Sequence, residues 1–169
     1  NDWSVVDPRM LVLDKRSNKI SLLARNIGSS VAIIRQITNA ANFSFQSSYT
    51  PLNSAFAGLF FRGNYQTGQG YYLMMNGLNS NKWQLYKNGK DGTKILVTGE
   101  INNFEFKPGE KYYLKVETKG TNIKAFFSID NLNYTLLADV SDEEFLSGGV
   151  GVATVNGATA LFNDFEFKQ

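Results

Sequence analysis

The sequence predicts an all-β fold, a two-sheet antiparallel β-sandwich made by a single domain over residues 1–169. Three observations lead there. Apolar and polar residues alternate with period two in most regular stretches, as half-buried strands require. Those stretches are rich in Val, Ile, Phe, Tyr and Thr, residues that pack well on a pleated surface. Turn signals containing Gly and Asn separate them at short, fairly regular intervals, the spacing of a sandwich or barrel.

Taken in order, the alternation predicts strands over Val31–Ile37, Phe43–Tyr49, Ala57–Arg62, Tyr71–Asn76, Trp83–Lys87, Ile95–Ile101, Tyr112–Thr118 and Ile123–Ile129. A last run, Val150–Phe167, is too long for one strand and should break at Asn156-Gly157. Gly63-Asn64, Asn76-Gly77, Asn88-Gly89, Asp91-Gly92, Pro108-Gly109, Gly120 and Gly148-Gly149 supply the turns. Helix is expected only as one turn at Ser141–Phe145, with Ser141 as cap and Glu144 three residues on. Phe-x-Phe recurs at Phe43/Phe45, Phe104/Phe106 and Phe165/Phe167, which reads as three strands feeding one core. No change in composition marks a linker.

Composition narrows the chemistry. The formal charge is +2, from 17 basic and 15 acidic residues, too near neutral to suggest nucleic acid or an anionic membrane surface as partner. The chain has no His and no Cys. Ser-His-Asp and Cys-His nucleophiles, thiolate or imidazole zinc sites and disulfides are therefore all excluded. No apolar run approaches the ~20 residues of a spanning helix. Residue 1 is Asn, and no signal-like segment opens the chain, so it reads as a processed or excised domain. Asn42-Phe43-Ser44 and Asn133-Tyr134-Thr135 fit the glycosylation pattern, which matters only in a eukaryotic secretory pathway.

Strand parity then sorts residues by face. From Ala57 to Ile101, one face of each strand is apolar and the other mixed. The mixed faces join into one surface carrying Arg62, Tyr72, Asn76, Gln84, Tyr86, Thr98 and Glu100. Arg62 offers a planar donor fork for adjacent hydroxyls or a carboxylate, against the plainer role of a strand-end charge. Arg35 is a similar case, its plainer role a partly buried structural donor. Tyr72 and Tyr86 offer flat apolar rings with a hydroxyl, suited to sugar rings, against ordinary cross-strand packing. Gln84 and Glu100 would fix hydroxyl orientation. Trp83 falls on the core side, though a bulge would reverse it. Gly149, Gly151 and Ala153 leave a bare strip that either admits a ligand close to the backbone or reflects tight strand packing.

These residues favour a binder over an enzyme. A glycosidase needs two carboxyl groups at a fixed separation, and no strand carries such a pair. Glu100 with Glu117 or Asp139 is the remaining combination. Gly68-Gln69-Gly70 lacks the strand-to-helix setting of a phosphate loop. No cofactor is required. A structural Ca²⁺ on Asp164, completed by Asp2 or Asp7, would staple the chain ends, against the plainer reading of a solvated acid.

Ala57-Gly58-Leu59-Phe60-Phe61-Arg62, Tyr71-Tyr72-Leu73, Leu85-Tyr86-Lys87, Tyr112-Tyr113-Leu114-Lys115-Val116, Gly148-Gly149-Val150-Gly151-Val152 and Phe162-Asn163-Asp164-Phe165 together resemble the laminin-G-like, concanavalin-A-like jelly-roll superfamily, from about Val31 to the C-terminus. Within it the chain is most similar to carbohydrate-binding module family 66, found at the C-terminal ends of bacterial levanases and other fructan hydrolases. Trp3-Ser4-Val5-Val6 resembles that family's opening strand. The resemblance implies a secreted bacterial module that is not catalytic. It would bind terminal fructosyl units of levan or a related fructan and hold a covalently linked glycoside hydrolase on its polymer. The superfamily also contains protein-binding laminin-type domains, so an adhesion domain is the alternative, and a small glycoside hydrolase or lyase the less favoured one.

Overall fold

A computed structural model describes residues 3–5, 11–14, 19–23, 30–34, 36–53, 56–155 and 157–169, with side chains from residue 31 onward. Among these residues there are fourteen strands and no helix. They are β1 (Trp3–Val5), β2 (Leu11–Asp14), β3 (Lys19–Leu23), β4 (Ser30–Ile34), β5 (Phe43–Pro51), β6 (Phe56–Asn64), β7 (Gln69–Asn76), β8 (Lys82–Gly89), β9 (Gly92–Glu100), β10 (Tyr112–Lys119), β11 (Asn122–Ser128), β12 (Thr135–Ser141), β13 (Gly149–Thr154) and β14 (Thr159–Lys168). Two seven-stranded sheets result, ordered β1-β4-β13-β6-β7-β8-β9 and β12-β11-β10-β5-β14-β3-β2. Every pairing between strands is antiparallel.

The main core lies between the sheets, where the apolar faces expected from parity meet. Leu59, Phe61, Leu73, Leu85, Val150 and Val152 of the first sheet face Phe45, Tyr49, Leu114, Val116 and Phe162 of the second. Trp83 joins them, as the core reading expected. Aromatic edges fill one end: Phe104, Phe106, Tyr112 and Phe127 meet with centroids 4.9–5.9 Å apart, mostly in the edge-to-face geometry that ring quadrupoles prefer. Phe104 and Phe106 reach this cluster from the β9–β10 loop rather than from a strand. Phe43 and Phe45 of β5 meet Phe167 and Phe165 of β14 at 5.6 and 6.4 Å.

The single break between β13 and β14 falls where Asn156-Gly157 placed it, with Gly157 at φ 78°. Other expectations shift. The sequence after Val140 forms no helical turn: β12 runs to Ser141, and Asp142, not Ser141, accepts the Glu144 N–H at 3.1 Å. The strand β12 escaped the alternation rule because its pairing with β11 slips between Ala125 and Phe126, placing Leu137 out of step. A slip at Leu85/Tyr86 likewise sends Ile95, expected in the core, outward at 51% exposure. The ladder of β14 with β5 slips in the same way between Asn163 and Glu166, at Asp164 with φ 52°.

Gly58 and Gly151 decide the meaning of the bare strip. A Cβ on Gly151 would run into the Ala32 carbonyl oxygen and the Ile33 backbone, and one on Gly58 into the Leu73 carbonyl. These glycines serve tight strand packing, not ligand approach. Gly151→Ala should therefore cost about 3 kcal/mol in denaturant unfolding. Gly120→Ala, at φ 56° with nothing near its missing Cβ, should cost about 1 kcal/mol of left-handed strain alone.

Candidate functional site

Arg62 organises one end of the sandwich. Strict alternation puts it on the outward face beside Phe60, and that placement is wrong. Pairing of β6 slips between Phe61 and Asn64, and Arg62 adopts φ 47°, a bulge that turns its side chain inward. The residue is 1% exposed. Its Nε and Nη2 donate to the Ala41 carbonyl at 3.0 and 2.6 Å, and Nη1 makes a longer contact to the Phe145 carbonyl at 3.5 Å. Thr118 Oγ1, from the opposite sheet, donates to the same Ala41 oxygen at 2.8 Å. Burial lowers the Arg62 pKa and nearby Tyr71 opposes the change, yet a guanidinium stays charged throughout the working range. Three contacts occupy three of its five N–H donors.

The β12–β13 loop closes over this end through a part-buried network. Lys87 Nζ lies 2.6 Å from Asp142 and 2.8 Å from Glu144. Tyr71 donates its hydroxyl proton to Asp142 at 2.6 Å and accepts the Phe145 N–H at 3.2 Å. Ala40 and Gly148 exchange backbone hydrogen bonds of 2.8 and 3.0 Å, and Ser147 donates to Asn39 at 2.7 Å. The two carboxylates raise the Lys87 pKa. Burial alone would push Asp142 up, but Lys87, the Tyr71 hydroxyl and the Glu144 N–H outweigh it and hold it below the usual value.

These loops enclose a cleft of about 390 Å³ at the rim of the first sheet. Thr38, Asn39, Asn64, Gln66, Gln69 and Ser147 give it neutral polar walls, Tyr65 and Phe145 its apolar surface, and Arg62 lies beneath. A smaller cleft of about 220 Å³ adjoins it, sharing Tyr65 and Gln66 and reaching Tyr72, Tyr86, Asn88 and Thr93. Among the described residues, no carboxylate lines either cleft. A third cleft, of about 510 Å³, lies on the second sheet around Glu117, Lys119, Lys124 and Lys168. There Lys124 and Lys168 pair with Asp139 and Glu166.

The structure brings some of the expected residues together and separates others. Tyr72 and Tyr86 share the smaller cleft, but their rings stack on each other at 4.8 Å and 6°, with Phe60 against Tyr72 at 5.0 Å. Tyr72 also donates to the Gly68 carbonyl at 2.5 Å. Cross-strand packing thus takes up the Tyr72 ring, which is 3% exposed, and it is no open platform. Gln84 sits on the same outward face, half-buried. Glu100 is exposed opposite Lys82, six residues along β8 from Asn88, so roughly 20 Å from the clefts. Glu117 and Asp139 belong to the other sheet and pair with Lys115 and Lys124, which leaves Glu100 without either expected carboxylate partner. Arg35, Asp2 and Asp7 lie outside the described residues. Asp164 is exposed and paired with Lys111 at 2.9 Å. The acids expected to complete a Ca²⁺ site with it, Asp2 and Asp7, are not described, and no group of three or more metal-ligating residues occurs among the described residues.

Gln66, Thr38 and Asn39 escaped the face argument because they sit on loops, and Gln69 because it is the first residue of β7, ahead of the run from Tyr71. The available signal was the pair of turn motifs Gly63-Asn64 and Gly68-Gln69, which bracket a long polar hairpin between two apolar strands.

No protein-family model matches the chain, and no curated protein matches it. Solved structures do. Carbohydrate-binding module CBM66 from Bacillus subtilis superposes with a TM-score of 0.79 at 19% identity, over 100% of this chain and 96% of that one. The GH43 protein BlXynB from Bacillus licheniformis gives 0.71 at 17% identity, over 98% of this chain but 36% of that one. The Ca²⁺-bound exoplasmic/lumenal domain of VIP36 gives 0.73 at 10%, over 99% and 83%. The chain has the two-sheet jelly-roll fold that these share.

Three outcomes test this description. Arg62→Ala should lose about 3 kcal/mol of stability, since it strips charge-assisted bonds from a buried carbonyl. That corresponds to a fall of about 6–12 °C in thermal midpoint. Because Asp142 titrates lower in the folded chain than unfolded, its stabilisation is complete above the usual carboxylate pKa and is lost as pH falls through the folded value. Asp142→Asn should therefore cost about 2 kcal/mol at pH 7, with the gap to wild type closing in acid unfolding below about pH 4. EDTA should leave the thermal midpoint unchanged; a drop reversed by added Ca²⁺, and abolished in Asp164→Asn, would assign a metal to this end of β14.

Proposed function

We propose that the chain is a non-catalytic carbohydrate-binding module whose ligand sits in the amide-lined cleft above Arg62. One observation carries the reading: a cleft of about 390 Å³ whose walls are neutral amides and hydroxyls, with no carboxylate among its described lining residues and with a buried guanidinium below. Hydroxyl-rich ligands need many oriented neutral donors and acceptors plus an apolar surface, here supplied by Tyr65 and Phe145. A glycosidase would need two facing carboxyls, and none lines this cleft among the described residues.

Within that reading the ligand is a fructan, recognised at its terminal fructosyl unit. The resemblance to the fructan-binding family and the full-length likeness to CBM66 support this. The module would be secreted and would hold a linked glycoside hydrolase on its polymer. The likeness to 36% of the BlXynB chain supports a place within a larger hydrolase. Arg62 acts from beneath, through its two remaining donors or by fixing the loops. Gln84, Tyr86 and Glu100 extend along the sheet from the clefts, and no cofactor takes part.

A second reading, a protein-interaction domain, is favoured by one feature. Ile129, Leu132 and Leu136 are 62, 83 and 50% exposed around a single hairpin, an apolar surface of the kind that partners cover.

Calorimetric titration with levan, inulin and a short fructo-oligosaccharide decides between them. Gln66→Ala and Gln69→Ala should each weaken fructan binding about tenfold, the loss of one good hydrogen bond. Binding to fructan that ignores both variants would remove the cleft. Absence of binding to any fructan or other neutral glycan would remove the carbohydrate reading and favour the interaction domain.

A further inference from the structure

We propose that the two adjoining clefts form one extended site that engages at least two linked sugar units, the larger holding the chain end and the smaller the units behind it. This rests on the carbohydrate reading above. The clefts share Tyr65 and Gln66, so the β6–β7 hairpin is a ridge between them rather than an outer wall of either.

The ridge is fixed from below. Gly68 N–H and Thr67 Oγ1 both donate to the Asn64 carbonyl, at 2.9 and 3.4 Å, and Gln66 N–H to Asn64 Oδ1 at 2.9 Å. The Gly68 carbonyl accepts from both the Tyr72 hydroxyl, at 2.5 Å, and Asn88 Nδ2, at 3.1 Å. Tyr65 packs on the outward apolar cluster with Phe60 and Met74. Such a hairpin is preformed and does not close as a lid.

Gln66 stands exposed on this ridge, and among the described residues none takes a hydrogen bond from its side-chain amide, so it can serve a ligand in either cleft. On the far side, Thr93 is exposed and pairs with Asn88 across β8 and β9. Thr93 and Tyr86, each with a hydroxyl, both line the smaller cleft. Burial raises the Tyr86 pKa to about 12; the phenol is a donor at neutral pH with or without that shift.

Among the described residues neither cleft contains Lys, Asp or Glu, and Arg62 is the sole charge lining them. Both therefore suit the same uncharged, hydroxyl-rich ligand. Both clefts touch β4, through Ile33 and Val31, and β7, through Gln69 and Tyr72; the larger alone takes in β6, at Arg62, and the smaller alone β8 and β9, at Tyr86, Asn88 and Thr93. From β6 to β8 is two strand spacings of ~4.8 Å, so the joined clefts are longer than one sugar ring and match a short oligosaccharide.

The test is titration of the whole chain with fructose and with fructo-oligosaccharides of two, three, four and five units, for wild type and Thr93→Val. Wild-type affinity should rise about tenfold from one unit to three and then level off. In Thr93→Val, whose thermal midpoint should stay at the wild-type value, the ratio of trisaccharide to monosaccharide affinity should fall severalfold toward one. Equal affinity for one and three units overturns the extended site and leaves the single-unit cleft standing. A continued rise through five units, unaffected by Thr93→Val, places the extra contacts outside the smaller cleft and also overturns it. Absence of binding to every sugar overturns the carbohydrate reading together with this one.

Discussion

The end of the sandwich that carries the clefts depends on one carbonyl oxygen. Ala41 O, in the β4–β5 loop, receives Arg62 Nε and Nη2 from the first sheet and Thr118 Oγ1 from the second. A buried guanidinium without partners would be prohibitive, so its burial forces the Ala41 loop and the Phe145 loop to stay where their carbonyls meet it. The left-handed backbone at Arg62 is tolerable only because these bonds over-determine it. From that arrangement follow the shape of the larger cleft and the closeness of Asn39, Ser147 and Gly148 to the β6–β7 hairpin.

The polar groups of this end fall into two kinds. Asp142, Glu144, Lys87 and Tyr71 are spent on one another, part-buried and oriented, and so hold the loop. The groups left over are neutral: amides on the hairpin and hydroxyls at the rims. Charge is thus used for architecture, and the clefts keep the weaker, more numerous bonds that suit reversible binding of a neutral ligand. The outward apolar cluster of Val31, Ile33, Phe60, Tyr72, Met74 and Ala153 plays the supporting part. It gives the clefts a rigid floor, and in doing so it takes up the Tyr72 ring that parity offered as a sugar platform.

Much of this fold is legible in the chain. Alternation in Ala57–Phe61, Tyr71–Asn76 and Trp83–Leu85 names the core faces correctly, because within an uninterrupted strand pleating fixes direction. Asn156-Gly157 marks its break because a tight reversal needs positive φ. The absence of His and Cys limits the chemistry through composition alone.

What only the tertiary structure decides lies at the bulges and the loops. One extra residue at Arg62, Leu96, Leu137 or Asp164 shifts the parity of the strand on one side of it, which is why Arg62 and Ile95 point the other way from strict alternation. Arg62 and Asp164 are ordinary L-residues at φ 47° and 52°, conformations that no local preference of Arg announces. The sequence by itself determines that the strands are amphipathic and that two sheets must bury them, since local pleat and side-chain polarity suffice for that. It does not determine that Arg62 points inward to Ala41, or that Gln66 stands between two clefts. Those placements come from hydrogen bonds between residues 21 and 83 positions apart in the chain and from a hairpin pinned to its own sheet, which no short-range pattern encodes.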